Sequence, residues 1–169
     1  MDDVEDAAAR LAALDVPLVV HTPGMLCSAA YWLASGADAI LGATSAEVGS
    51  IGVYCPMVDV RGMYEAFGIS VELAKTGELK GMGFPGTAWT DAQKAHMQQI
   101  VEDIFGGFTA AVRAGRPGVP DEAMTGGSYM ARRAAGLGLV DDVGTLQDAR
   151  ELAATLARVR AGRNNQEEE

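Results

Sequence analysis

Ser28, Lys75 and Lys80 are the residues of this chain best suited by type and setting to covalent chemistry. Ser28 follows an apolar run and a Thr22-Pro23-Gly24 turn. It stands at the first turn of a predicted helix of small residues, Ala29-Ala30-Tyr31-Trp32-Leu33-Ala34. Exposed N–H groups and the positive end of a helix dipole favour negative charge at such a place. Small neighbours such as Ala29 and Ala30 let a substrate backbone come close. Serine is also a common N-cap, and on local sequence alone the cap outweighs the nucleophile. A serine hydroxyl attacks poorly without a base. Histidine is the usual base, and the chain has only His21, at the end of a strand, and His96, in the first turns of a long helix. Neither has an acid partner in a motif, and both read as solvated or locally bonded. A lysine can replace histidine where burial lowers its pKa. Lys75 and Lys80 lie in or beside a Gly-rich stretch. Either could point into a cleft, and either could be a plain surface charge.

The elements around these residues read as alternating helices and strands. Val4, Ala7, Ala8, Leu11 and Leu14 recur on one helix face over residues 3–14. Leu18-Val19-Val20 and Ala39-Ile40-Leu41 read as buried strands. A helix from about Cys27 to Ala34 ends at Gly36. Residues 44–49 read as a loop, Ser50 to Tyr54 as a strand start, 60–67 as a short helix closed by Gly68, and Ser70 to Ala74 as an alternating strand. Residues 77–88 form an aperiodic loop that carries Lys80. Thr90 and Gln93 have capping-box spacing and open a long helix to about Ala114. A helix over Tyr129 to Ala135, a strand at Leu139-Val140 and a helix capped by Thr145 and ending near Ala161 complete the pattern. The expectation is α/β with a largely parallel sheet. Residues 1–161 read as one domain, and 162–169 as a disordered acidic tail.

Composition narrows the function classes. The 169 residues carry a net charge of −10, which argues against a nucleic-acid surface. Two cysteines, Cys27 and Cys55, indicate neither a disulfide framework nor a CxxC metal site. No apolar run spans a bilayer and the N-terminus is acidic, so a soluble, cytoplasmic protein without a membrane anchor is expected. No cofactor and no metal are implied.

Four segments in order, Cys27 to Ser35, Gly49 to Val53, Lys75 to Lys80 and Gly136 to Asp141, resemble peptidase family S49, the signal peptide peptidase A group and its phage head-protease relatives. Cys27-Ser28-Ala29-Ala30-Tyr31-Trp32-Leu33-Ala34-Ser35 is similar to the family's nucleophile helix. Gly49-Ser50-Ile51-Gly52-Val53 is similar to its Gly-Ser-Ile-Gly-Val signature. Lys75-Thr76-Gly77-Glu78-Leu79-Lys80 resembles the stretch that ends in its catalytic lysine. Gly136-Leu137-Gly138-Leu139-Val140-Asp141 resembles the closing Gly-Leu-Val-Asp motif. The resemblance runs from about Val4 to Ala154.

The resemblance implies a ClpP/crotonase-type spiral of ββα units and a serine endopeptidase with a Ser–Lys dyad. Ser28 would be the nucleophile, Lys80 the general base, Ser50 the group that holds the lysine amine, and Ala29 N–H a possible oxyanion donor. Lys75 is the next candidate base. Homo-oligomeric rings are implied, with the two dyad residues coming from one subunit or from neighbours. The Cys before the nucleophile and the small domain resemble the phage branch, so capsid and portal proteins are the expected partners, in host cytoplasm or prohead. In the family, a strand ending in Asp-Ser-Pro-Gly-Gly precedes the first helix and supplies an oxyanion donor. That strand is missing from this sequence, so an N-terminally short domain is expected, with a loss on the order of 10²–10³ in rate. The alternatives are a catalytically impaired ring-forming assembly protein and a soluble signal-peptide-degrading peptidase.

Overall fold

The computed structural model describes residues 3–167, without the side chains of 163–167. Its elements run α1 (Val4–Ala12), β1 (Val19–Thr22), β2 (Met25–Cys27), α2 (Ala29–Ala34), β3 (Ala39–Gly42), β4 (Glu47–Gly49), α3 (Arg61–Ala66), α4 (Asp91–Gly115), β5 (Ser128–Met130), α5 (Ala131–Gly136), β6 (Asp142–Val143) and α6 (Leu146–Glu167), with a 3₁₀ turn at Asp121–Met124. The chain divides into two compact units, Met1–Gly52 with Gly106–Glu169, and Val53–Phe105.

The first unit holds two three-stranded sheets. In the order β1-β3-β6 all pairs are parallel; in β2-β4-β5 the first pair is parallel and the second antiparallel. Strand β3 is buried along its whole length, as its Ala-Ile-Leu-Gly sequence requires. Helix α6 covers the first sheet, with Ala149 and Leu152 against Val19, Ala39 and Leu41. Tyr31, Ile40, Val48, Ile51, Phe108, Val112 and Leu139 are fully enclosed in the core of this unit.

Several segments differ from the sequence reading. Met25–Cys27 is a strand, paired with Glu47–Gly49, where a turn and a helix start were expected and a loop was read at 44–49. Residues 50–54 are not a strand. Gly49 at φ 117° and Ser50 at φ 51° stand in the left-handed region, and two such residues in succession end a ladder. Residues 70–74 alternate in sequence but find no strand to pair with, since the described elements of the second unit are helical. The last strand is Asp142–Val143, and Leu139 and Val140 are buried in the turn before it. Helix α6 continues to Glu167, so the tail expected to be disordered is helical over 162–167. That stretch has no proline, and one interior glycine costs only about 1 kcal/mol.

Two predicted caps are formed. Thr90 N–H donates to Gln93 Oε1 and Gln93 N–H to Thr90 Oγ1, both at 3.2 Å. At α6, Thr145 N–H and Oγ each lie 2.7 Å from Asp148 Oδ2, and Asp148 N–H returns a bond to Thr145 Oγ1. The Thr145 backbone bond, then its hydroxyl, then nearby His21, hold the Asp148 carboxyl below its ordinary value of 3.8. A depressed carboxylate pKa stabilises the fold above the unfolded value, and that gain is lost as pH falls through the folded one. Asp148→Asn is therefore expected to flatten the acid limb of a plot of Tm against pH below about 3.8, measured by thermal melts. An acid limb as steep as that of the wild type would contradict this.

Candidate active site

Ser28 is the hinge between β2 and α2. Its backbone has φ 54° and ψ −128°, a conformation that costs a non-glycine residue on the order of 1–3 kcal/mol. Its N–H donates to Gly49 O at 2.9 Å, and its carbonyl accepts from Trp32 N–H at 3.0 Å, the first bond of α2. The side chain makes no capping bond, and the residue is exposed together with Ala29 and Ala30. A serine spent on capping would turn its oxygen back to the helix. This one presents a free hydroxyl on a strained strand-to-helix turn.

Ser50 comes next to it by register. Cys27 pairs with Gly49 in the parallel ladder, so Ser28 and Ser50 leave adjacent strands at the same level. Neighbouring strands run about 5 Å apart. Ser50 N–H is held by Gly127 O at 2.8 Å. Gly49 is required on two grounds: its φ of 117°, and Gly127 O only 3.0 Å from where a Cβ would stand. The structure therefore brings Ser28, Ala29 and Ser50 together in the first unit.

Lys75 and Lys80 belong to the second unit and both are exposed. Lys75 Nζ donates to Glu78 O at 2.9 Å. Lys80 lies in a run of tight turns, with Met82 N–H bonded to Leu79 O and Phe84 N–H to Gly81 O. A cavity of about 390 Å³ in this unit has Lys75, Tyr64, Val71, Gly81 and Gln93 in its wall, and Lys80 is not part of that wall.

The other polar candidates have different surroundings. His21 Nε2 lies 3.2 Å from Gly144 O, and His96 is exposed on α4. Cys27 Sγ contacts Glu47 O at 3.6 Å, and burial, then the Glu47 charge, push its thiol pKa up, so it is no thiolate nucleophile. Cys55 is a free, exposed thiol. Among the described residues no group of three or more His, Cys, Asp or Glu side chains is placed to hold a metal. No described helix is long and apolar enough to cross a membrane.

Sequence reading missed two residues that shape this region. Tyr31, fully buried on α2, donates to Leu139 O at 2.9 Å. Arg116, 8% exposed, binds both Asp141 oxygens at 2.9 and 2.7 Å and Ala37 O at 2.9 Å. In sequence, Arg116 belongs to the turn between Gly115 and Pro120. An arginine amid a predicted Gly-Pro turn gives no sign of burial.

Known proteins resemble this chain over most of its length. The chain is 32% identical to a provisionally named protease of Methanocaldococcus jannaschii over 146 residues, 85% of this chain and 47% of that protein. It is 27% identical to a provisionally named signal peptide peptidase SppA of Enterococcus faecium over 150 residues, 87% of this chain and 44% of that one. Among solved structures it is similar to an enoyl-CoA hydratase from Thermoplasma volcanium, with TM-score 0.47, 17% identity, and 98% and 53% of the two chains covered. The chain thus spans about half the length of these proteins. The model of peptidase family S49 matches residues 10–160, a span that takes in Ser28, Ser50 and Lys80 together, and the chain belongs to that family.

Proposed function

We propose that this chain carries the catalytic residues of an endopeptidase with a Ser–Lys dyad. The observation that carries the reading is the strained, exposed turn at Ser28, with Ser50 beside it on the neighbouring strand. Strain of this kind persists where the surroundings enforce it, and it clusters at reactive residues. Ser28 Oγ attacks the scissile carbonyl and passes its proton to the neutral amine of Lys80 Nζ. The C–N bond then breaks, the leaving amine takes that proton, and water releases the acyl group from Ser28. Ser50 Oγ holds the lysine amine. Ala29 N–H, free at the start of α2, donates to the oxyanion. Lys80 is preferred over Lys75 because the Lys75 ammonium is already engaged by Glu78 O.

The substrates we propose are capsid-type proteins cleaved during assembly, on the resemblance of the Cys27-Ser28 segment to the phage branch of the family. The active form is a homo-oligomer. The second reading is degradation of cleaved signal peptides, which the name of the Enterococcus faecium relative favours. Cleavage of capsid-type substrates against signal-peptide substrates separates the two.

A fluorophosphonate probe tests the nucleophile. The assembled wild-type protein is expected to be labelled at Ser28, read by peptide mass spectrometry, and Ser28→Ala to remain unlabelled. Absence of labelling in the wild type would remove the peptidase reading in favour of a ring-forming assembly protein.

A further inference from the structure

The closing segment Gly136–Asp141 takes no part in the chemistry proposed above. We infer that it is the seat of the nucleophile turn, and that Tyr31 is the positioning residue that joins the two through the Leu139 carbonyl. The inference rests on Ser28 being the nucleophile.

Helix α2 has six residues, too few to stand on its own hydrogen bonds. Its first bond starts from the Ser28 carbonyl, so any tilt of α2 moves Ser28 directly. Two side chains fasten it. Trp32 stacks on Phe108 with ring centres 4.9 Å apart and planes within 4°. That contact fixes height but allows sliding. Tyr31 supplies the directional contact, its hydroxyl donating to Leu139 O at 2.9 Å inside the core. Burial pushes the ionisation of this hydroxyl well upward, against a smaller opposing effect of Arg116, so it stays protonated and a donor.

The acceptor is held just as firmly. Leu139 N–H bonds Ala134 O at 2.9 Å, and Gly138, at φ 75°, makes the turn. Asp141 exchanges bonds with Ile40 on β3: its N–H to Ile40 O at 2.8 Å, and Ile40 N–H to its Oδ2 at 2.7 Å. Arg116 closes the clamp on the Asp141 carboxylate and on Ala37 O. The path from β3 to Ser28 is therefore Ile40, Asp141, Leu139, Tyr31. A strained backbone at Ser28 needs such a brace, because a free six-residue helix would relax it.

Tyr31→Phe keeps the ring and removes only the brace. Amide hydrogen exchange by NMR on the full chain is expected to show protection falling about tenfold at Ser28, whose N–H bonds Gly49 O. The Ala43 N–H, bonded to Thr22 O on the other sheet, is expected to be unaffected. Fluorophosphonate labelling of Ser28 is expected to slow by a similar factor. Ala149→Gly, which weakens α6 against β1 and β3, is expected to lower Tm without slowing labelling. Unchanged protection at Ser28, or equal loss at Ser28 and Ala43, would overturn the inference. If protection falls as expected but wild-type Ser28 never labels, the brace stands and the nucleophile reading fails.

Discussion

Lys80→Ala is expected to lower kcat/KM for peptide cleavage by about 10²–10⁴-fold, the usual contribution of a general base. Lys75→Ala is expected to stay near wild-type turnover. The difference follows from their surroundings. Lys75 Nζ is bonded to Glu78 O and braces its own loop. Among the described residues Lys80 has no ion pair, and turns on both sides fix its backbone, with Gly77 at φ 75° and Gly81 at φ 77°. The positive φ at Gly81 strains any residue with a side chain, so the turn that follows Lys80 depends on glycine. Lys80→Arg discriminates further. Arginine keeps the charge but stays protonated in proteins, so it cannot take the serine proton. If Lys80 is the base, Lys80→Arg is as inactive as Lys80→Ala in steady-state assays. If it only supplies charge, Lys80→Arg retains activity. Full activity in Lys80→Ala would transfer the role to Lys75 or end the dyad reading.

The sequence made Ser28 visible in one way and the structure in another. Periodicity placed it at a helix start, where serines are common for capping. It could not reveal the positive φ, because Ser28 is not a glycine and nothing nearby in the chain announces strain. Gly49 is the sign that could be read: a glycine just before a serine in a parallel pair. Its need for a left-handed conformation depends on Gly127 O, from a segment far along the chain. The α/β class was legible because Leu18-Val19-Val20 and Ala39-Ile40-Leu41 are apolar runs and α1, α4 and α6 have apolar faces or caps. Strand β2 was not legible, because three residues after a Pro-Gly turn are too few to show a period. The strand read at 70–74 erred the other way. It alternates, yet alternation makes a strand only where a partner waits. Ser50 was found through a motif and is placed beside Ser28 by register. Tyr31 and Arg116 were missed for a common reason: each acts through a carbonyl or carboxylate at least 25 residues away in the chain.

The largest expected effect on stability lies at the Arg116–Asp141 pair. Asp141→Ala is expected to lower the unfolding free energy by about 3 kcal/mol, the low end for breaking a buried ion pair. The low end applies because the Asp141 side chain is 44% exposed while Arg116 is 8% exposed, so water screens one partner and not the other. Loss of the carboxylate leaves the Arg116 guanidinium enclosed, with only Ala37 O among the described residues to accept from it. It also strips Ile40 N–H of its acceptor in the middle of the buried strand β3. Adding Arg116→Met to Asp141→Ala removes the stranded charge, so urea melts of the double variant are expected to recover part of the loss. The Ile40 share stays lost, because no side chain at 141 then reaches that N–H. A single variant as stable as the wild type would mean that Arg116 finds water when Asp141 is gone, and the clamp would carry no weight. If the loss is as expected, labelling of Ser28 should slow in the folded single variant too. Asp141 holds the turn on which the Leu139 carbonyl sits, so on the proposed path the ion pair and Ser28 are two ends of one brace.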